Sequence, residues 1–137
     1  PIILKGIMDP EDAKLAVKTG ADAIVVSNHG GRQLDGAPST IEVLPAILDA
    51  VGDDIEVHID GGIHTGQALL KALCLGAKSS YIGRPFLYGL GAAGEAGVTD
   101  VLRILRNELD VSLALCGERD VQSVGRHNLY NPEVVSR

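Results

Sequence analysis

The chain has 137 residues, the size of one domain, and its 45% apolar and 22% charged residues are an ordinary soluble composition. A formal charge of −6 argues against a nucleic-acid surface, no apolar run is long enough to cross a bilayer, and no segment reads as a signal peptide. Aromatics make up only 3%, so the core must come from Ile, Leu, Val and Ala; Cys74 and Cys116 match no metal spacing and read as small buried residues in a reducing compartment.

The chain enters a short strand, Ile2 to Leu4, at once, and that strand is expected to end at Lys5-Gly6. A start with neither an initiator Met nor a leading turn suggests a piece of a longer protein. Asp9-Pro10-Glu11-Asp12 predicts a helix start: an N-cap, a proline in the first turn and acids at the positive end, with Gly20 as the stop. Ala23 to Ser27 is an apolar run, read as a buried parallel strand. A helix follows from about Thr40 to Ala50, then a strand from Ile55 to Ile59, a helix from about Thr65 to Leu75 and a strand from Ser79 to Ile82. Two helices are expected next, a glycine-rich one near Leu87 to Ala93 and a stronger one from Val98 to about Leu115. From Gly117 to Arg137 the pattern predicts irregular chain, frayed at its end. Repeated βα units imply a parallel sheet with helices outside. About four are present, against the roughly 250 residues of an eight-unit barrel. The pattern fits half a (β/α)8 barrel, with a small doubly wound sheet as the competing architecture.

The strand ends carry the chemistry. After Val26 the chain reads Ser27-Asn28-His29-Gly30-Gly31-Arg32. A histidine takes a proton near neutral pH, an arginine grips a carboxylate through two parallel hydrogen bonds, and the glycines let a flat ligand approach. A base and an anion clamp at one strand end suggest work on a small carboxylic acid. Each residue also has a plainer reading. Lys5 could be a solvated surface charge, His29 a hydrogen-bonded loop residue, and Arg32 a partner for Asp35. Asp60-Gly61-Gly62 could be a tight turn or an acceptor for a sugar hydroxyl. Gly83-Arg84-Pro85 could simply start a helix, or hold a phosphate at a helix N-terminus. No G-x-G-x-x-G or P-loop string occurs. His58 and His127 match no motif and read as structural or surface residues.

Taken in order, Leu4-Lys5-Gly6-Ile7, Ser27 to Asp35, Asp60-Gly61-Gly62-Ile63 and Gly83-Arg84-Pro85 resemble the FMN-dependent α-hydroxy-acid dehydrogenase and oxidase family, which includes glycolate oxidase, L-lactate dehydrogenase and mandelate dehydrogenase. The likeness covers nearly the whole chain. It implies an α/β fold, the C-terminal half of a TIM (β/α)8 barrel, with residues 1–137 as the C-terminal part of an FMN-dependent hydroxy-acid dehydrogenase domain. The implied activity is FMN-dependent oxidation of a small L-2-hydroxy acid to a 2-oxo acid. Lys5 would sit beside the flavin N1 and O2 edge, where positive charge stabilises the anionic reduced ring. Ser27 would touch the ring, His29 would be the base, and Arg32 beside His29 would bind the substrate carboxylate. Asp60, Gly61, Gly62 and Ile63 would line the ribityl and phosphate region, with His64, Gly83 and Arg84 at the phosphate; no metal is implied.

One position departs from the family pattern. His64 stands where the family usually has arginine, and neutral imidazole offers one donor where guanidinium offers five. This predicts a weaker hold on phosphate, unless charged His64 or Thr65 compensates. The resemblance further implies an absent N-terminal half-barrel that supplies more flavin contacts and an aspartate orienting the histidine. The chain alone is therefore expected to be inactive, and aggregation-prone or dimeric. The whole protein is expected to be a cytoplasmic homo-oligomer, tetrameric in the family, with membrane association open for the intact form. The acid oxidised and the electron acceptor stay open. A non-catalytic flavin- or phosphate-binding fragment is the alternative from another class. A third reading is a different FMN barrel enzyme, such as a type 2 isopentenyl-diphosphate isomerase, against which Arg32 in its loop argues.

Overall fold

Apolar alternation puts Ile24 and Val26 of one strand, and Val57 and Ile59 of another, on a single face, where they pack on Ala13, Ala16, Leu44 and Ile47 of the helices. The computed structural model describes residues 1–130. In chain order they form β1 (Ile3–Ile7), α1 (Pro10–Thr19), β2 (Ala23–Val26), α2 (Thr40–Val51), β3 (Glu56–Asp60), α3 (Gly66–Leu75), β4 (Ser79–Tyr81) and α4 (Arg84–Leu115). Single 3-10 turns occur at His29–Gly31 and Arg126–Asn128. The four strands are parallel in the order β1-β2-β3-β4. Parallel strands in sequential order, with the connecting helices packed on one face, are the wall of a (β/α) barrel, and this chain is part of one. The helix-facing layer is the core: Ile24, Leu44, Ile47 and Ile59 are fully buried, each worth about 1.5–3 kcal/mol.

Local signals set the helix ends. The Asp9 carboxylate accepts the Glu11 N–H at 2.8 Å, and Gly20 closes α1 in the left-handed region. The Ser39 N–H donates to Glu42 at 3.0 Å, and the Thr65 hydroxyl accepts the Ala68 N–H at 3.0 Å. The two expected helices after β4 are the two arms of α4. The chain breaks at Ala93 (φ −150°) and Gly94 (φ +58°), and the arms fold back until Gly89 and Gly97 meet backbone to backbone. A Cβ at either glycine has no room. The second arm also crosses the start of α3, where the Glu108 carboxylate accepts the Gly66 N–H at 2.7 Å.

Three details differ from the sequence reading. β1 does not stop at Lys5-Gly6; it runs to Ile7 through a bulge, with Lys5 opposite Val25, Ile7 opposite Val26 and Gly6 as the extra residue. Lys5 therefore projects from inside a strand. Cys116 is exposed, because it caps the solvent-facing end of α4, whereas Cys74 is buried against Leu70 and Leu113. Residues 117–130 are irregular, as expected, yet Val121, Val124 and Leu129 pack on the Leu70–Cys74–Leu113 cluster and Arg126 pairs with Asp49 at 2.8 Å. The expected fraying at the chain end falls on 131–137, outside the described residues.

The Glu118 carboxylate organises that last segment. It accepts the Ser123 hydroxyl at 2.6 Å and the Asn128 amide at 2.8 Å, and lies 3.3 Å from the His127 ring. Those hydrogen bonds, Ser123 first, hold its pKa down at about 2 from the ordinary 4.5. A carboxyl depressed in the folded state stabilises it above the ordinary value, and loses that contribution as pH falls from 4.5 towards 2. Hydrogen-exchange protection across residues 118–130, relative to the intrinsic rate at each pH, should fall in that window while the sheet stays protected. Glu118→Gln should show the lowered protection at neutral pH and lose the acid step; an unchanged profile would remove Glu118 from this role.

Candidate active site

The sheet's other face carries Lys5, Val25, His58, Asp60 and Tyr81, residues that alternate with the core set. At the C-terminal end of the strands this face opens into a cleft of about 700 Å³. Lys5, His29, Arg32, Asp60, His64 and Arg84 line it, together with bare backbone at Gly61, Gly62 and Gly83. Lys5, Arg32 and Arg84 are three cations against one carboxylate, Asp60. A locally positive cleft in a chain of net charge −6 is built for an anion.

Register explains how the first contacts form. Val26 lies opposite Ile59, so Ser27 and Asp60 leave their strands at one level, and Lys5 reaches up from a residue opposite Val25. The Lys5 ammonium donates to the Ser27 hydroxyl at 2.8 Å and to Asp60 at 2.9 Å. Ser27 is 1% exposed and lies beneath the ammonium, not on the cleft wall. Its hydroxyl also accepts the His29 N–H at 3.3 Å.

His29 is the one non-glycine residue with positive φ (+55°) among the described residues. Such a conformation is strained by about 1 kcal/mol or more, and its neighbours hold it. Asn28 accepts the Gly30 N–H at 3.0 Å and donates to the Pro38 carbonyl at 3.1 Å, which pins the loop on both sides. The imidazole packs on Gly6: a Cβ there would lie 2.7 Å from its Cε1. The β1 bulge is thus the seat of the histidine ring. Among the described residues no hydrogen bond reaches either ring nitrogen of His29. Arg32 follows the turn and faces the cleft; it makes no ion pair with Asp35, which accepts the Gly36 N–H instead.

The opposite wall comes from β3 and β4. Gly61 and Gly62 have φ of +84° and +78°. A Cβ on Gly62 would meet nothing within 4 Å, and the Gly61 carbonyl accepts the buried Thr40 hydroxyl at 3.2 Å. This leaves a firmly held strip of open backbone, with Ile63 tucked into the core and His64 exposed at the rim. Gly83-Arg84-Pro85 does start a helix, and that helix N-terminus opens on the cleft. Arg84 donates to the Gly30 carbonyl at 3.2 Å, tying the β4 end to the His29 turn.

Sequence reasoning missed the roles of Gly6, Asn28, Thr40 and Tyr81. A glycine inside a strand pattern was the available signal for Gly6. Strand alternation places His58 on the same face as Asp60, where its ring lies between Tyr81 Oη (3.1 Å) and Glu56 (3.2 Å). Tyr81 contributes the cleft's phenol ring. Among the described residues no group of three His, Cys, Asp or Glu converges as a metal site would, and no helix is long and apolar enough to cross a membrane.

A profile of the FMN-dependent dehydrogenase family matches residues 1–131. The chain is 51% identical to 2-hydroxyacid oxidase 1 of Mus musculus, over 100% of this chain and 37% of that protein. It is 51% identical to an L-lactate dehydrogenase of Stenotrophomonas maltophilia (strain R551-3), over 96% of this chain and 35% of the relative. Among solved structures, mandelate oxidase with benzoyl-formic acid superposes with a TM-score of 0.87 at 49% identity, over 90% of this chain and 37% of that one. A mandelate oxidase mutant with a monooxide FMN adduct superposes equally well, TM-score 0.87, over 39% of its length. The chain thus spans little more than a third of the relatives it matches.

Gly6→Ala should push the imidazole off its seat and cost about 1–3 kcal/mol through overpacking and backbone strain. The checks are thermal unfolding and the His29 ring resonances. Gly31→Ala is the control: its φ is +70° with open space around it, so it should show strain alone and leave the ring resonances in place.

Proposed function

The chain belongs to the FMN-dependent dehydrogenase family, and from that premise we propose that it forms the C-terminal part of a barrel that oxidises a small L-2-hydroxy acid to a 2-oxo acid, with FMN as cofactor. The observation that carries this reading is the convergence of His29, Arg32, Lys5 and Arg84 on one cleft at the C-terminal strand ends. The residues fit the cofactor. A planar ring with an anionic tail needs open backbone, a cation beside the ring and a phosphate clamp. Gly62 and Gly83 leave space where a Cβ would stand, Lys5 supplies the ammonium, and Arg84 stands at a helix N-terminus.

FMN, when bound, supplies the two-electron acceptor. Arg32 holds the substrate carboxylate through a two-pronged contact, which fixes the acid's α-carbon in the cleft. His29 takes the proton released as the hydroxyl carbon becomes a ketone. Its seat on Gly6 sets the ring's place, while the group that orients its nitrogens is supplied by the rest of the barrel. Lys5 stabilises negative charge on the cofactor. Ser27 positions Lys5 and the His29 backbone from below. Arg84, the Gly83 backbone and His64 hold the phosphate, with Asp60 to Ile63 along the ribityl chain. The substrate is a small acid. The whole protein is proposed to be a homo-oligomer acting in the cytoplasm.

Anaerobic mixing of the complete FMN-loaded barrel with a panel of 2-hydroxy acids should bleach the flavin absorbance for at least one acid. The isolated 137-residue chain should leave it unbleached. His29→Gln should slow bleaching by roughly 10²–10⁴-fold with acid binding retained. Arg32→Met should chiefly weaken acid binding, by about tenfold to a hundredfold, the worth of charge-assisted hydrogen bonds. Full-rate bleaching in both variants would refute the assignment.

His64 should be replaceable to advantage. A guanidinium there adds donors to the phosphate site, so His64→Arg should tighten FMN binding by about tenfold, read from fluorescence on titrating the apoprotein. Unchanged affinity would place His64 outside the phosphate contacts.

A further inference from the structure

We infer that Asp60 is the counter-ion that sets how strongly Lys5 stabilises negative charge on bound FMN; this rests on the FMN reading above. Three observations support it. The Asp60 carboxylate is 2.9 Å from the Lys5 ammonium, an ion-paired distance. The Asp60 side chain is only 17% exposed, whereas that of Lys5 is 46% exposed, so the carboxylate is the more shielded of the two from water. An ammonium carries three donors, and Ser27 and Asp60 take two of them. The third is left for the cleft, where the ligand lies.

An ion pair this open to water adds little stability. Its consequence is electrostatic. A cation whose charge is half cancelled by a neighbouring anion attracts an incoming negative charge less than a bare one does. Asp60 thus has two separable effects on Lys5, holding it in place and damping its charge. Asn keeps the carbonyl oxygen that accepts the ammonium N–H and removes only the charge. Ser27, unchanged below, keeps Lys5 at the same level.

The sign follows. In the FMN-loaded complete barrel, Asp60→Asn should make the bound flavin easier to reduce, by about tenfold in the two-electron equilibrium, or about 30 mV. Equilibration with a reference dye under anaerobic conditions reads this without turnover. Lys5→Met should shift the equilibrium the other way. Asp60→Asn added to Lys5→Met should recover part of that loss, because the two opposed charges act on the ring together. An unchanged or harder-to-reduce flavin in Asp60→Asn overturns the proposal, as does a double variant no easier to reduce than Lys5→Met alone. Loss of FMN from a folded Asp60→Asn protein also overturns it, since the acceptor survives the substitution. Asp60→Ser, which removes the same charge, decides the matter if Asp60→Asn does not fold. If the parent itself holds no FMN, the FMN reading fails and this inference falls with it; a yellow parent with an unmoved equilibrium sinks the inference alone.

Discussion

One ammonium ties three strands together at the end of the sheet that carries the cleft. Lys5 rises from β1, Ser27 follows β2 and Asp60 closes β3, and the parallel register brings their polar atoms within 2.9 Å of the Lys5 nitrogen. A shift of one residue in either pairing would turn Lys5 or Asp60 into the helix-facing core, where an unpaired charge is expensive. The apolar alternation that fixes the core therefore also fixes the polar triangle. Ser27 extends it, because the same hydroxyl accepts the His29 N–H. The position of the proposed base thus depends on strand register as much as on its own loop.

The loop spends conformational freedom to achieve this. His29 sits in a region of backbone space that L-residues avoid, and Asn28 holds it there from both sides. Gly6 completes the arrangement from another strand. The bulge in β1 displaces one residue from the ladder, and its missing side chain is the space the imidazole occupies. Arg84 reaches the same turn from the start of α4. Strain at one residue, held by contacts from two other elements, is a pattern associated with functional sites.

The sequence made the architecture readable because its signals were redundant. Strand ends with polar residues, the N-cap at Asp9 and the stop at Gly20 all pointed to βα units. The break in α4 was visible as a glycine-rich stretch that no continuous helix would favour. Lys5 was less legible. Read as the residue after a strand, it is a surface charge with a doubtful role; read as an inward position of a bulged strand, it must face the cleft. Glycine's two meanings, terminator and bulge, cannot be told apart without the partner strand. Cys116 shows a similar limit, since burial at a helix end depends on what packs there. The pairing of His58 with Tyr81 joins residues 23 apart, which no local pattern reports.

The cleft-bearing face of the sheet leaves apolar surface open to solvent. Ile3 is 45% exposed and Tyr81 43%, although both point to the side that a closed barrel fills. β1 and β4 are both edge strands, each with one row of backbone groups unpaired by the sheet. Among the described residues the His29 ring has a seat but no hydrogen-bonded partner, and a general base works well only when a third group fixes its tautomer. Under the proposed reading, further barrel strands would cover Ile3 and Tyr81 and supply the group that orients the proposed base, His29.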